Sequence, residues 1–271
     1  MKTRFVLIQT SHAGNVGGVA RAMKVMGFDD LVLVNPRFEN VLRREETKQR
    51  ASGAHDVLES ARVVKSLEDA LDGMTHLCAT AMTPRDFGPP TRYPREHFQA
   101  LLDPSPATPR PDGVAFLFGS ERFGMLNEDV YRCHVALSIP TNPQFGSLNL
   151  ASAAQVLAYE WRLALGGFEQ EAHQDPIQAS SAAHSAIPAY SSFEPPLPER
   201  ALASAQEIAG LMTHWQDSLT QIGFLDPQAP KKLMPRLQQI FNRSDLSKEE
   251  VHILRGVAKQ MVLQNPIKRI D

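Results

Sequence analysis

The sequence predicts an α/β domain built on a largely parallel sheet, followed by a linker and a small α-helical C-terminal domain. Three observations carry this expectation. From Arg4 to about Gly166, short β-branched runs alternate with helix-like segments, the pattern of a parallel sheet covered by helices. Between Arg162 and Arg200 there is no Lys or Arg, while Pro176, Pro188, Pro195, Pro196 and Pro198 join a Ser/Ala-rich run. Beyond that stretch, apolar residues recur at helical spacing. The expected boundaries are 1–166 for the α/β domain, 167–198 for a flexible linker and 199–271 for the helical domain.

The elements follow in order. Strands are expected at 5–9, 31–35, 76–81, 114–118 and 135–139. Between the first two, Asn15 suits a helix N-cap, with Val16, Val19, Ala20, Met23 and Met26 at helical spacing and Gly27 as the stop. Ser66-Leu67-Glu68-Asp69 resembles a capping box that opens a short helix ending at Gly73, and Pro94 and Asn127 start two more. A long helix is expected over 148–165, where Ala153, Val156, Leu157, Trp161 and Leu165 form one face and Gly166-Gly167 terminate it. In the tail, helices are expected around 199–222, 231–241 and 248–263, the last opened by the capping box Ser247-Lys248-Glu249-Glu250.

Composition narrows the class. The chain has 271 residues, 42% hydrophobic and 21% charged, enough apolar material for a sizeable core. No run approaches the ~18 apolar residues of a membrane span, and the apolar-leaning residues 5–9 are too few for the core of a signal peptide, so a cytoplasmic protein is expected. Cys78 and Cys133 lie in apolar runs and suit buried thiols in a reducing compartment. C-x-x-C and H-E-x-x-H spacings are absent, so no metal is expected. A formal net charge of -2 means that any nucleic acid must meet a local basic patch. The sequon Asn242-Arg243-Ser244 reads as chance.

A β-α-β start invites a dinucleotide site, but the first turn, Thr10 through Gly18, misses the G-x-G-x-x-G spacing. The second strand also ends Val34-Asn35-Pro36, with no acid to hold a ribose. No P-loop exists, and Gly119-Ser120-Glu121-Arg122-Phe123-Gly124 is not a nucleophile elbow. What remains are three polar, glycine-containing segments, each after a strand: Asn15 through Arg21, Phe118 through Met125, and Ile139 through Ala151. In a parallel sheet such loops gather at the carboxyl ends of the strands and outline one pocket.

In this order and at these separations, the three segments resemble the motifs of the SPOUT methyltransferases, specifically the SpoU branch of RNA ribose 2'-O-methyltransferases. Asn15 with Arg21 matches the first motif, Gly119 through Gly124 the second and Ser147-Leu148-Asn149-Leu150-Ala151 the third. The tail, through Ile222-Gly223-Phe224, Lys232-Leu233, Arg236-Leu237, Phe241 and Ile253-Leu254-Arg255-Gly256, is similar to a bacterial group that methylates nucleotide 32 of the tRNA anticodon loop. The resemblance implies a SPOUT-type fold with a C-terminal trefoil knot, a homodimer, S-adenosyl-L-methionine as cofactor and tRNA as partner. The same chemistry on ribosomal RNA and a catalytically inactive RNA-binding relative stay open as alternatives.

The resemblance also nominates residues. Arg21, Asn15, Glu121, Ser147 and Asn149 form the implied catalytic set. Because arginine stays protonated, Arg21 is expected to orient the ribose hydroxyl and adjacent phosphate, from its own subunit or into its partner's site. Glu121 is expected to orient the active-site Arg or Asn, although a surface pair with Arg122 is the plainer reading. Asn15, Ser147 and Asn149 also read as helix caps. Thr80, Ala81, Met82, Gly119, Ile139, Gly146, Ser147 and Leu148 form the implied cofactor pocket, largely through main chain. RNA contacts are expected from Arg85, Arg92 and Arg95 around the loop 84–94, and from Lys231, Lys232, Arg236 and Arg243 on a tail helix, for which a solvated face is the alternative.

Overall fold

A computed structural model describes residues 1–81, 84–103, 110–168, 201–229 and 231–264. The linker expected at 167–198 thus lies almost wholly outside the described residues. The strands are Lys2–Ile8 (β1), Asp30–Val34 (β2), Arg62–Val64 (β3), His76–Thr80 (β4), Thr91–Arg92 (β5), Gly113–Phe118 (β6) and Val135–Leu137 (β7). They form one 7-stranded sheet in the order β3-β2-β1-β6-β4-β7-β5, with all its pairings parallel. Every residue of β6 is buried, as expected for a central strand covered on both faces. β3 and β5 were not expected, and each is a short edge strand.

Helices Ala13–Val25 (α1), Glu45–Ala51 (α2), His55–Ser60 (α3), Pro94–Leu102 (α5) and Leu150–Ala164 (α7) cover one face; Leu67–Ala70 (α4) and Asn127–Tyr131 (α6) lie on the other. Under α5 and α7, Phe98 and Phe116 meet the buried Trp161 edge to face, with ring centroids 5.1 and 5.8 Å away. α1 packs tightly because glycines let backbones approach. A Cβ on Gly17 would fall 2.1 Å from the Thr47 carbonyl oxygen of α2, and one on Gly18 would fall 2.7 Å from Ala151 Cβ of α7.

The expected start of α1 needs a correction. Residue 12, not Asn15, occupies the N-cap of α1, and Asn15 sits in the first turn with its side chain free for other work. The capping box at Ser247 holds, with Glu250 N–H donating to Ser247 Oγ and Ser247 N–H to the Glu250 carboxylate, whereas at Ser66 only a one-sided cap forms, Asp69 N–H donating to Ser66 Oγ at 3.1 Å. Pro94 opens α5 in the first turn.

At the amino end of β4, three imidazoles pack together. His76 and His97 share a hydrogen bond of 3.0 Å between their Nε2 atoms, and His134 stacks on His76 while its Nδ1 accepts the Leu77 N–H. Cys78 lies close enough to make the group look like a metal site. However, 3.0 Å is the length of an N–H···N bond, shorter than the ~3.3 Å between two nitrogens on one tetrahedral zinc, so a shared proton accounts for the pair. Burial keeps these rings neutral: His134 falls to about 4, as does His97, where Arg92 adds to the effect. In the unfolded chain both would titrate near 6.5, so their contribution is complete above that value and is lost as pH falls from 6.5 towards 4. Melting curves are therefore expected to shift down on the order of 10 °C between about pH 7 and 4.5, with a shallower fall in His97→Gln. An equal slope in that variant would contradict this. Cys78 and Cys133 are free and buried, and burial pushes both thiols up.

The tail comprises Ala205–Gln221 (α8), Leu233–Arg243 (α9) and Lys248–Gln264 (α10), held by a small core of Leu211, Phe241, Val251 and their neighbours. It is docked on the α/β domain. Ala205 N–H donates to the Met74 carbonyl at 2.7 Å, and Ala205 packs against the core beneath α4 and α6. Asn242 is 5% exposed and its amide donates to the carbonyls of Tyr131, Arg132 and Cys133 at the end of α6, which leaves nothing of the sequon to modify. No described helix is long and apolar enough to cross a membrane.

Candidate active site at the carboxyl edge of the sheet

β1, β4, β6 and β7 deliver their following loops to one edge, where a cavity of about 290 Å³ opens. Thr80 and Ala81 line it from the end of β4, Gly119 from the end of β6, and Ile139, Gly146, Ser147 and Leu148 from the loop after β7. Met82 lies outside the described residues. Apolar walls come from Phe118, Met125 and Leu150, which belong to the pocket-forming segments read from the sequence, and from Leu137, which does not. Thr80 is fixed by donating its hydroxyl to the Leu117 carbonyl at 2.9 Å, and Ala81 N–H donates to Leu137.

The β6 loop folds back on itself. Ser120 N–H donates to the Gly124 carbonyl at 3.1 Å and Gly124 N–H to Ser120 at 2.8 Å. Gly124 supplies the left-handed turn with φ +69°. This closure aims Glu121 away from Arg122 and towards the β1 loop.

Glu121 is the junction of the three polar segments. Its carboxylate accepts from Thr10 Oγ1, Ser11 N–H and Ser11 Oγ, each at 2.8 Å, and from Asn15 Nδ2 at 2.9 Å. Asn15 Oδ1 in turn accepts from Asn149 Nδ2 at 2.9 Å. Asn149 also caps α7 by accepting Ala151 N–H, so it serves as a cap and a network member at once. Burial pushes the Glu121 carboxyl up, but the hydrogen bonds from Asn15 and Ser11 outweigh it and hold the group down at about 2. Glu121 is therefore a fixed anion that orients Asn15, not Arg21. Thr10 and Ser11 had no distinguishing pattern in the sequence, since one of the donors is a main-chain N–H.

Arg21 stands apart from this network. Gly14, Gly18, Arg21 and Val25 follow one stripe of α1 at helical spacing, and Arg21 is exposed on it, off the cavity wall. Exposed Phe123 and Phe145 stand on the two loops that rim the cavity, at 76% and 80% exposure.

The basic residues separate into groups. Arg85 lines the cavity itself. Arg92 is exposed on β5. Arg95 is bonded to Glu160 of α7 through two contacts of 2.9 and 2.7 Å, with its own side chain 65% exposed. Lys231 and Lys232 precede α9 rather than lying on it. Lys232, Arg236 and Arg243 gather against the loop 84–90.

A cavity made by looped main chain after parallel strands, with apolar walls and a half-buried carboxylate tying three polar loops together, defines a class that the comparisons identify. The SpoU rRNA Methylase family matches residues 2–159, and the chain belongs to this family. Residues 206–269 match the C-terminal domain of the tRNA methyltransferase TrmJ. The chain is 39% identical over 257 residues to tRNA (cytidine/uridine/adenosine-2'-O-)-methyltransferase TrmJ of Pseudomonas aeruginosa, covering 94% of this chain and 92% of that one. It is 34% identical to tRNA (cytidine/uridine-2'-O-)-methyltransferase TrmJ of Escherichia coli K12, covering 97% and 96%. Among solved structures, TrmJ from Z. mobilis ZM4 superposes with a TM-score of 0.74 at 26% identity, covering 96% of this chain and 99% of that one.

Proposed function

We propose that this chain transfers the methyl group of S-adenosyl-L-methionine to a ribose 2'-hydroxyl of tRNA, at a pyrimidine of the anticodon loop and specifically nucleotide 32. The observation that carries the reading is the Glu121–Asn15–Asn149 network at the mouth of the cavity, in a chain whose relatives over nearly its whole length are tRNA 2'-O-methyltransferases. The TrmJ-type tail supports tRNA over ribosomal RNA.

The cavity suits the cofactor. Main-chain groups of Gly119, Ile139, Gly146 and Leu148 can read an adenine edge while Phe118, Met125, Leu137 and Leu150 flank its faces. Bound there, S-adenosyl-L-methionine supplies a methyl group on an already activated sulfonium. The protein's own task is then to place the nucleophile. Glu121 fixes Asn15 and the β1 loop, Ser147 and Asn149 present polar groups beside the cavity, and Arg21 holds the hydroxyl and its neighbouring phosphate.

Because Arg21 is off the wall of its own cavity, it serves the cavity of a second subunit in the homodimer we propose. Exposed Val25 of α1, with Tyr159 and Leu163 of α7, supports a contact surface there. The trefoil knot and a cytoplasmic setting belong to the same proposal. Arg92, Arg95, Lys231, Lys232, Arg236 and Arg243 supply the positive surface for RNA, with Arg85 where that surface meets the cavity. The test is transfer of labelled methyl to unmodified tRNA and to ribosomal RNA in parallel. Label in tRNA alone is expected; label in ribosomal RNA alone would replace the substrate, and none in either would overturn the activity.

A further inference from the structure

The basic helix of the tail reaches the wall of the cavity through a single loop. Residues 84–90 follow β4, and Arg85 of this loop lines the cavity. Its turn is closed by Gly88 N–H donating to the Arg85 carbonyl at 2.9 Å. From one side, Tyr131 of α6 donates its hydroxyl to the Asp86 carbonyl at 2.9 Å. From the other, Lys232 Nζ lies 4.0 Å and Arg236 Cζ 5.1 Å from the centroid of the Phe87 ring. Phe87 has φ +62°, a left-handed conformation that a bulky residue keeps only where its surroundings hold it. α9 is itself anchored to the end of α6 by Asn242. Loop, α6 and α9 therefore form a closed set, and the cavity's cation sits on it.

We infer that α9, by docking Lys232 and Arg236 on Phe87, positions Arg85 in the cavity wall and so sets cofactor affinity before any RNA arrives. Arg85 is the group that meets the cofactor, pairing with the carboxylate of its amino-acid end. Phe87, Lys232 and Arg236 act through it as positioning residues. This rests on the cavity being the S-adenosyl-L-methionine site. A tail that serves RNA alone would weaken tRNA binding in the same variants, but it would leave cofactor binding without RNA unchanged.

The experiment is calorimetric titration of the full-length protein with S-adenosylhomocysteine in the absence of RNA. Phe87→Ala and Arg236→Ala are each expected to weaken binding about three- to five-fold, and Arg85→Ala at least as much. Phe87→Tyr should restore wild-type affinity because it keeps the ring face, whereas Phe87→Leu should not. The double variant Phe87→Ala/Arg236→Ala should be no weaker than the worse single one, since Phe87→Ala already removes the contact that Arg236→Ala removes. Arg236 is at the surface of a folded helix, so its variant keeps the test independent of any disturbance in the loop. Unchanged affinity in both single variants would overturn the inference even if tRNA binding fell. Wild-type protein that binds no S-adenosylhomocysteine would overturn the cofactor reading and this coupling with it.

Discussion

Gly119→Ala is expected to abolish binding of S-adenosylhomocysteine, weakening it at least ~100-fold, while the protein stays folded. A Cβ at this position would lie 2.1 Å from Gly124 C, 2.2 Å from Met125 N and 2.4 Å from Gly124 O. These are backbone atoms of the same closed loop and cannot step aside as the end of a flexible side chain can. The loop must open, which breaks the paired bonds between Ser120 and Gly124 and moves two stretches of the cavity wall together. Loss of binding geometry on this scale removes the main-chain contacts that fix a cofactor. Calorimetry with circular dichroism as a check on folding reads the result, and wild-type affinity in Gly119→Ala would show that the β6 loop is not part of the cofactor site.

The second large effect belongs to Glu121. Removing its carboxylate in Glu121→Ala strands the hydroxyl of Thr10, the N–H and hydroxyl of Ser11 and the amide of Asn15 together. Asn15 then loses the partner that aims it, and Asn149 loses a fixed acceptor. Methyl transfer at saturating cofactor is expected to fall on the order of 10²-fold, the scale associated with a misplacement of about 1 Å at a reacting centre. Glu121→Gln keeps the shape but brings an N–H into a ring of donors, so it should recover only part of the rate. The sign of the pH effect follows from the depressed carboxyl. Its anionic contacts are complete above the ordinary value of 4.5 and are lost only as pH falls towards about 2, so no limb of the rate profile near neutrality belongs to Glu121. A rate in Glu121→Ala within two-fold of wild type would contradict its role.

The sheet was legible where strands carry a run of buried apolar residues, as in β1, β2, β4, β6 and β7. β3 and β5 have no fully buried residue, so they carry no apolar run to read and owe their existence to pairing at the sheet edges. α2 and α3 were missed for a related reason: α2 buries Thr47 and Ala51 and is otherwise polar, leaving no apolar stripe to read. In the site, Glu121 and Asn15 were nominated by the resemblance of the three polar loops, taken together, to the family's motifs. Their meeting across 106 positions, and the parts played by Thr10 and Ser11, depend on tertiary packing. The docking of the tail was hidden as well, because Asn242 binds main-chain carbonyls, which have no side-chain signature. The ion pair of Arg95 was hidden too, because its partner Glu160 is 65 positions away and only the fold brings the two together.

The central claim is that the carboxylate-anchored cavity serves methyl transfer to a particular ribose oxygen. Its most direct test is incubation of the protein with unmodified tRNA and S-adenosyl-L-methionine carrying an isotopically labelled methyl group, followed by nuclease digestion and mass spectrometry. The account predicts one labelled 2'-O-methyl pyrimidine, at nucleotide 32, and its loss in Arg21→Ala with cofactor binding retained. Label on a base, or on the ribose at undiminished rate in Arg21→Ala, would contradict it.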